Sequence, residues 1–326
     1  MMPGLDVLVS SPFPIESLQG NSISANRIAR RIADLGLRTA ACHDYQAQDA
    51  NVLIALHTRR GLPTIKAFRA RYPQRAIIAV ATGTDLYKDL PNGDTDALEG
   101  MRLADAIVTY QDHSAADVPA EFAAKVRTIW KSIELPITEN LPEPPATPKT
   151  FTILAHLRET KDPFLTVRAL QHLDAALPIE ARHFGTPLEA GLEAEALGWM
   201  RRENRYHWST PIPREEVAAA IRSSHATINT GKTEGGSNAV CESIVLGTPV
   251  LATETPANIG FLGRDYGGYF PVSDARALAQ LIERCCQPDA TFLHMLASQL
   301  EPRADLFRPA TESAGWKILL DELRHH

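Results

Sequence analysis

Short apolar runs alternate with longer amphipathic stretches almost from one end of the chain to the other. In the first half, LDVLVS (5–10), RTAAC (38–42), NVLIALH (51–57), AIIAVATG (76–83), AIVTYQ (106–111) and VRTIW (126–130) predict buried strands. Between them, ISANRIARRIADLG, LPTIKAFRARYP and DALEGMRLA space their apolar residues as helices do. Such alternation predicts parallel sheet units joined by crossover helices. The stretch LPITENLPEPPATPK (135–149) is dense in proline and has no period, which predicts a stiff linker. The pattern then restarts. FTILAHLR, IEARHFG, NRYHW, ATINT and PVLAT (249–253) predict strands, and FLTVRALQHLD, LEAEALGWMRR, REEVAAAIRSS and NAVCESIVLG predict helices. The closing stretch TESAGWKILLDELRHH is an amphipathic helix with Trp316, Leu319, Leu320 and Leu323 on one side, and no strand follows it.

The expected fold class is therefore α/β, with two doubly wound domains, 1–145 and 146–307, facing each other across a cleft. The length of 326 residues is comfortable for two such domains. A net charge of −6 leaves no basic surplus of the kind a nucleic-acid binder carries. No apolar run approaches the roughly 20 residues that span a bilayer. MMPGLDVLVSSPFPIES lacks a basic n-region, so no cleaved signal is predicted. The four cysteines (Cys42, Cys241, Cys285 and Cys286) show no metal or CxxC spacing, which fits packing roles in a reducing cytoplasm.

Ligands of doubly wound sheets bind outside the carboxyl ends of the strands, so residues just after strands carry the candidate chemistry. ATINTGK ends a strand and Glu234-Gly235-Gly236 makes a turn. Ser237 and Asn238 can then cap a helix that Gly247 stops. Glycines at a helix start let an anion approach backbone N–H groups closely. Glu242 lies about 12 Å beyond Glu234 along a helix, the span of a nucleotide sugar laid across the helix start. Glu234 could then bond sugar hydroxyls and Glu242 the ribose diol, because a carboxylate accepts two hydroxyl hydrogens well. Taken alone, two glutamates at this spacing read as a loop charge and a helix-surface charge. Arg158 and Lys161 shift the balance, since two cations three apart at a strand end can neutralise a diphosphate leaving group without a metal. In the first domain, Gly20 and Asn21 follow the first strand and could serve the donor phosphates or simply start the helix. His57, Arg59 and Arg60 follow another strand, and Thr82, Gly83, Thr84 and Asp85 the next. Together they make a compact anion-friendly group, although Asp85 could equally cap its turn and His57 fill the gap beneath it.

R-x-x-K after the first strand of the second domain, E-x7-E with a glycine turn, and ESIVLGTPVLAT resemble family 4 of the GT-B retaining glycosyltransferases over most of residues 151–275. The resemblance implies that Arg158 and Lys161 hold the diphosphate, with Gly235, Gly236, Ser237 and Asn238 around it. Glu234 would touch the donor sugar and Glu242 the ribose. The family more often has EGFG where EGGS stands here. It also implies that the last helix (308–326) crosses back onto the first domain, and that no catalytic metal or other cofactor is needed. GN-x-x-S-A-N-R, LHTRR and VATGTDLY, together with NIGFLGRDYGGYFPV (258–272), are similar to a narrow branch of that family, the selenosugar synthases of selenoneine biosynthesis. That implies a UDP-sugar donor, N-acetylglucosamine or a close relative, and selenophosphate as acceptor. The product would be a 1-seleno sugar, with UDP and phosphate released. His57, Asp85 and Glu234 are the expected catalytic residues. His57, Arg59, Arg60, Thr82, Gly83 and Thr84 are the expected acceptor contacts.

Other readings remain at this stage. A conventional family 4 enzyme would pass the sugar to a lipid or a small hydroxylated acceptor, and NRIARRIADL offers Arg27, Arg30 and Arg31 to a lipid surface but little aromatic content. A sugar-nucleotide epimerase would share the architecture, and a regulator that binds sugar nucleotides would keep the two glutamates without turnover. A dehydrogenase is disfavoured, because neither first loop contains GxGxxG.

Overall fold

The computed structural model describes residues 4–17, 19–136, 140–233 and 235–324. The chain divides into two compact units, Met1–Ser132 with Leu306–His326, and Ile133–Asp305. The sequence pattern puts the first division at 145, whereas the compact units part at Ser132–Ile133; it puts the second at 307, against Asp305–Leu306.

The first unit holds a six-stranded sheet of β1 (Leu5–Ser10), β2 (Thr39–Cys42), β3 (Ala50–Leu56), β4 (Ala76–Val80), β5 (Ala106–Thr109) and β6 (Val126–Thr128). The strand order is β2-β1-β3-β4-β5-β6 and every pairing is parallel. Its helices are α1 (Gly20–Ala33), α2 (Leu62–Arg71), α3 (Thr95–Leu103), the short α4 (Asp112–Ala115) and, from the chain's far end, α12 (Pro309–Arg324). The apolar runs form strands because both faces are covered: Leu8, Leu53 and Ile77 pack with Ile65 and Phe68 of α2 in one cluster. α1 turns Ala25, Ile28 and Ile32 inward, a spacing of three and four residues that puts them on one stripe.

The second unit repeats the plan. Its strands are β7 (Lys149–Leu154), β8 (Ile179–Phe184), β9 (Tyr206–Ser209), β10 (Ala226–Asn229), β11 (Val250–Thr253) and β12 (Tyr269–Phe270). They lie in the order β12-β11-β10-β7-β8-β9, again all parallel. Around them stand α5 (Leu165–Leu170), α6 (Leu192–Arg202), α7 (Val217–Arg222), α8 (Asn238–Leu246), α9 (Pro256–Leu262), α10 (Ala275–Cys285) and α11 (Thr291–Ala304).

Both strand orders reverse direction at one point. In the first sheet the chain leaves β1 toward β2 and resumes at β3 on the other side. In the second it leaves β7 toward β8 and resumes at β10. Loops leaving the carboxyl ends at such a switch point diverge, and the crevice between them is where doubly wound sheets bind ligands. The candidate residues after β1, β3, β7 and β10 flank these two points. No helix among the described residues is long and apolar enough to cross a membrane.

Candidate functional site

In the second unit, one backbone bond and one side-chain bond stitch the loop after β7 to the loop after β10. Lys232 N donates to Thr160 O at 2.9 Å, and Thr230 Oγ1 donates to Lys161 O at 2.7 Å. This brings the exposed Arg158 and the half-buried Lys161 alongside the glycine turn. Lys232, which the sequence pattern does not single out, adds a third cation there and pairs with Glu159 at 3.6 Å. A lysine beside a glycine turn was the available signal. Asp162, buried and in the left-handed region (φ 42°), ties the far side of the loop by accepting from Ser273 Oγ at 3.0 Å and Arg168 at 2.5 Å.

Beneath the turn lies a buried polar network. Asn229 Nδ2 donates to Ser237 Oγ at 3.1 Å, while Asn258 Nδ2 donates to Asn229 Oδ1 at 3.2 Å and Thr253 O at 2.9 Å. Ser237 in turn accepts from Val240 N at 3.4 Å and caps α8. Gly235 and Gly236 stand half-buried above this network, and Asn238 is exposed at the first turn of α8. A helix start, with three cations in the loops that lead to it, makes an anion-binding arrangement. Glu234 lies outside the described residues, so its expected contact with a donor sugar has no geometry here. Glu242, one face further along α8, is only 4% exposed and bonds the Arg214 guanidinium, another residue absent from the sequence-based set.

In the first unit, Gly20 is exposed and Asn21 half-buried at the start of α1, where no side chain caps the helix. The group after β3 and β4 separates into an interior and a surface part. Asp85 is fully buried and accepts from Thr82 N at 2.8 Å, Thr82 Oγ1 at 3.0 Å and Thr58 Oγ1 at 3.0 Å. His57 Nδ1 lies 2.6 Å from Asp85 Oδ1, and the imidazole is 2% exposed. Its backbone takes φ 68°, an uncommon conformation for a residue with a side chain, held by the bonds around it. α3 presses on the same turn: a Cβ on Gly100 would meet Thr58 O at 2.4 Å. Arg60 and Thr84 are exposed, Arg59 and Gly83 half-buried, and Thr82 is buried at 9% exposure. Arg60 lies over the Phe13 ring at 5.1 Å, which joins this turn to the loop after β1. The ligand atoms of His57, Asp85 and Asp89 lie within 4.8 Å of one another. Arg59 Nε, 3.3 Å from Asp89, already supplies a positive charge to that cluster.

The described geometry therefore presents cations and helix N–H groups at the switch point of the second sheet, and arginines and a threonine at that of the first. Two six-stranded doubly wound units of this kind define the GT-B fold of glycosyltransferases. Residues 138–291, just under half of the chain, match the family model described as glycosyl transferases group 1. Solved structures share the fold across the chain's whole length. A sucrose-phosphate synthase from Thermosynechococcus elongatus is 15% identical, with 98% of each chain covered and a TM-score of 0.78. HepE of Anabaena in complex with UDP is 15% identical, with 98% of this chain and 100% of that chain covered and a TM-score of 0.76. The complex of HepE with UDP-glucose is 12% identical over 97% of this chain and 99% of that one, with a TM-score of 0.72.

Proposed function

We propose that this enzyme moves a sugar, N-acetylglucosamine or a close relative, from a UDP-sugar to selenophosphate. The observation that carries the donor half is the stitched pair of loops, which sets Arg158, Lys161 and Lys232 beside the N-terminus of α8. A diphosphate there would receive charge-assisted hydrogen bonds as its negative charge grows, so no metal ion is required to stabilise the leaving group. UDP in the similar HepE structures supports uridine as the nucleoside. Glu242 would accept the ribose hydroxyls, and Glu234 those of the sugar.

For the acceptor half, the support is the likeness of the LHTRR and VATGTDLY segments to selenosugar synthases, with Arg60 and Thr84 exposed and Arg59 half-buried beside them. A small polyanion has no apolar body, so its affinity must come from guanidinium and hydroxyl donors. His57 and Asp85, both interior, would act as positioning residues that hold the turn rather than touch the acceptor. In the reaction, selenium bonds to the anomeric carbon as the UDP oxygen leaves with the bonding pair. Water then takes the phosphoryl group from selenium, leaving the 1-seleno sugar and inorganic phosphate.

Mass spectrometry of the purified enzyme with UDP-N-acetylglucosamine and selenophosphate tests this. The expected products are UDP, phosphate and a 1-seleno sugar, all lost with Lys161→Ala. Sugar transfer to hydroxylated acceptors alone would instead support a conventional family 4 enzyme.

A further inference from the structure

Arg214 opens the short turn Arg214–Glu216 that follows β9 and leads into α7. One nitrogen of its guanidinium bonds Glu242 Oε1, and another donates to the backbone carbonyl of Glu134 at 2.9 Å. The two partners differ in exposure: the Arg214 side chain is 49% exposed and that of Glu242 5%.

The surroundings of Glu242 explain why an arginine stands there. On α8 Glu242 is itself buried, at 4% exposure, so its carboxylate has little access to water. An ionised carboxylate is costly there without an opposite charge and hydrogen bonds. Arg214 supplies both. Because the guanidinium is a rigid fork, gripping Glu134 O with one nitrogen fixes where the other points, and this orients the carboxylate. A carboxylate has about four lone-pair positions. One bond from Arg214 leaves acceptor capacity for a pair of hydroxyls.

We propose that Arg214 is the positioning residue for recognition of the nucleotide's ribose. Held by the Glu134 carbonyl, it sets the Glu242 carboxylate so that the carboxylate accepts both ribose hydroxyls and distinguishes ribose from deoxyribose. The proposal rests on the reading of Glu242 as the ribose acceptor, and the test separates the two.

Calorimetry would give the Kd of UDP and of 2′-deoxy-UDP for the parent, Glu242→Ala, Arg214→Ala and Arg214→Lys. The parent is expected to favour UDP by about tenfold, the worth of one hydrogen bond to a charged group. Both alanine variants lose that preference, because UDP loses the bonds of two hydroxyls while 2′-deoxy-UDP, which keeps its 3′-hydroxyl, loses one, so UDP affinity falls about tenfold further than that of 2′-deoxy-UDP. Arg214→Lys restores part of it, since a lysine returns the charge but cannot grip both partners. A preference that survives in Arg214→Ala but is lost in Glu242→Ala overturns the role of Arg214 and leaves the ribose reading standing. A preference that survives in both overturns the two together. An equal fall for both nucleotides in Arg214→Ala makes the residue merely structural, and also overturns the proposal.

Discussion

Partial desolvation of an imidazole whose residue is otherwise exposed, together with the positive charges of Arg158 and Lys161 beside it, holds His156 below its ordinary value. Its Nδ1 accepts from Thr186 N at 3.1 Å, so the neutral ring already has a partner. His156 thereby reports the field of the loop after β7. A diphosphate bound to the two cations would cancel much of their charge, which favours the imidazolium. The sign follows: the pKa of His156 should rise when UDP binds, with proton uptake, and UDP should bind more tightly as pH falls through that range. A histidine-resolved NMR titration with and without UDP checks it, and an unchanged or lowered value would place the anion elsewhere. The basic pair itself was legible in the sequence because a strand-end position and a three-residue spacing are both local. Lys232 and Arg214 were not, because the segments that deliver them are distant in the chain from the ones they meet, through Lys232 N to Thr160 O and through the Arg214 guanidinium to Glu134 O and Glu242.

At the scale of elements, one buried carboxylate organises the turn between β4 and the single wide helical turn Asp85–Asp89. Asp85 accepts from Thr82, Thr58 and, at 3.5 Å, Arg59 N, so it joins the loop after β3 to the loop after β4. An amide at this position keeps one acceptor oxygen but points N–H donors at groups that also donate. Asp85→Asn should destabilise the first unit by about 2 kcal/mol, the cost of one charged bond lost in the interior. UDP affinity should remain that of the parent while the melting temperature drops; weakened UDP binding with unchanged melting would give Asp85 a direct part in the donor site. The period of the apolar runs was enough to place β1 and every later strand through β11 to within a few residues, since buried parallel strands are uniformly apolar. Their ends were overextended, as in AIIAVATG against β4, because polar strand-end residues continue the apolar run before the backbone turns. Two-residue β12 is too short to carry a period. Which of the strand-end residues face inward was also not legible: His57 and Asp85 have the residue types of a reactive site, yet both are buried, with α3 packed close against the neighbouring Thr58.

At the scale of the whole molecule, each unit has its own sheet and core, so each has its own stability. The first is completed by α12, which returns from the far end of the chain. Its attachment centres on Glu312, which is fully buried and accepts from Arg27 Nε at 3.2 and 3.0 Å, Ser132 N at 2.7 Å and Trp316 Nε1 at 3.4 Å. The Arg27 side chain is 12% exposed, so removing the carboxylate would strand a cation in the interior. Loss of one partner from a buried pair costs about 3–5 kcal/mol. For a unit of this size that corresponds to a fall of roughly 10 °C in melting temperature. The second unit has no share in that network, and UDP at a hundred times its Kd should add about 2.7 kcal/mol to the second unit alone. Differential scanning calorimetry of Glu312→Gln, with and without UDP, should therefore show an early transition that moves down with the substitution and ignores UDP. A later transition should respond to UDP and ignore the substitution. A single transition shifted by both would mean that the two units unfold as one cooperative block, with α12 stabilising the chain as a whole rather than the first sheet.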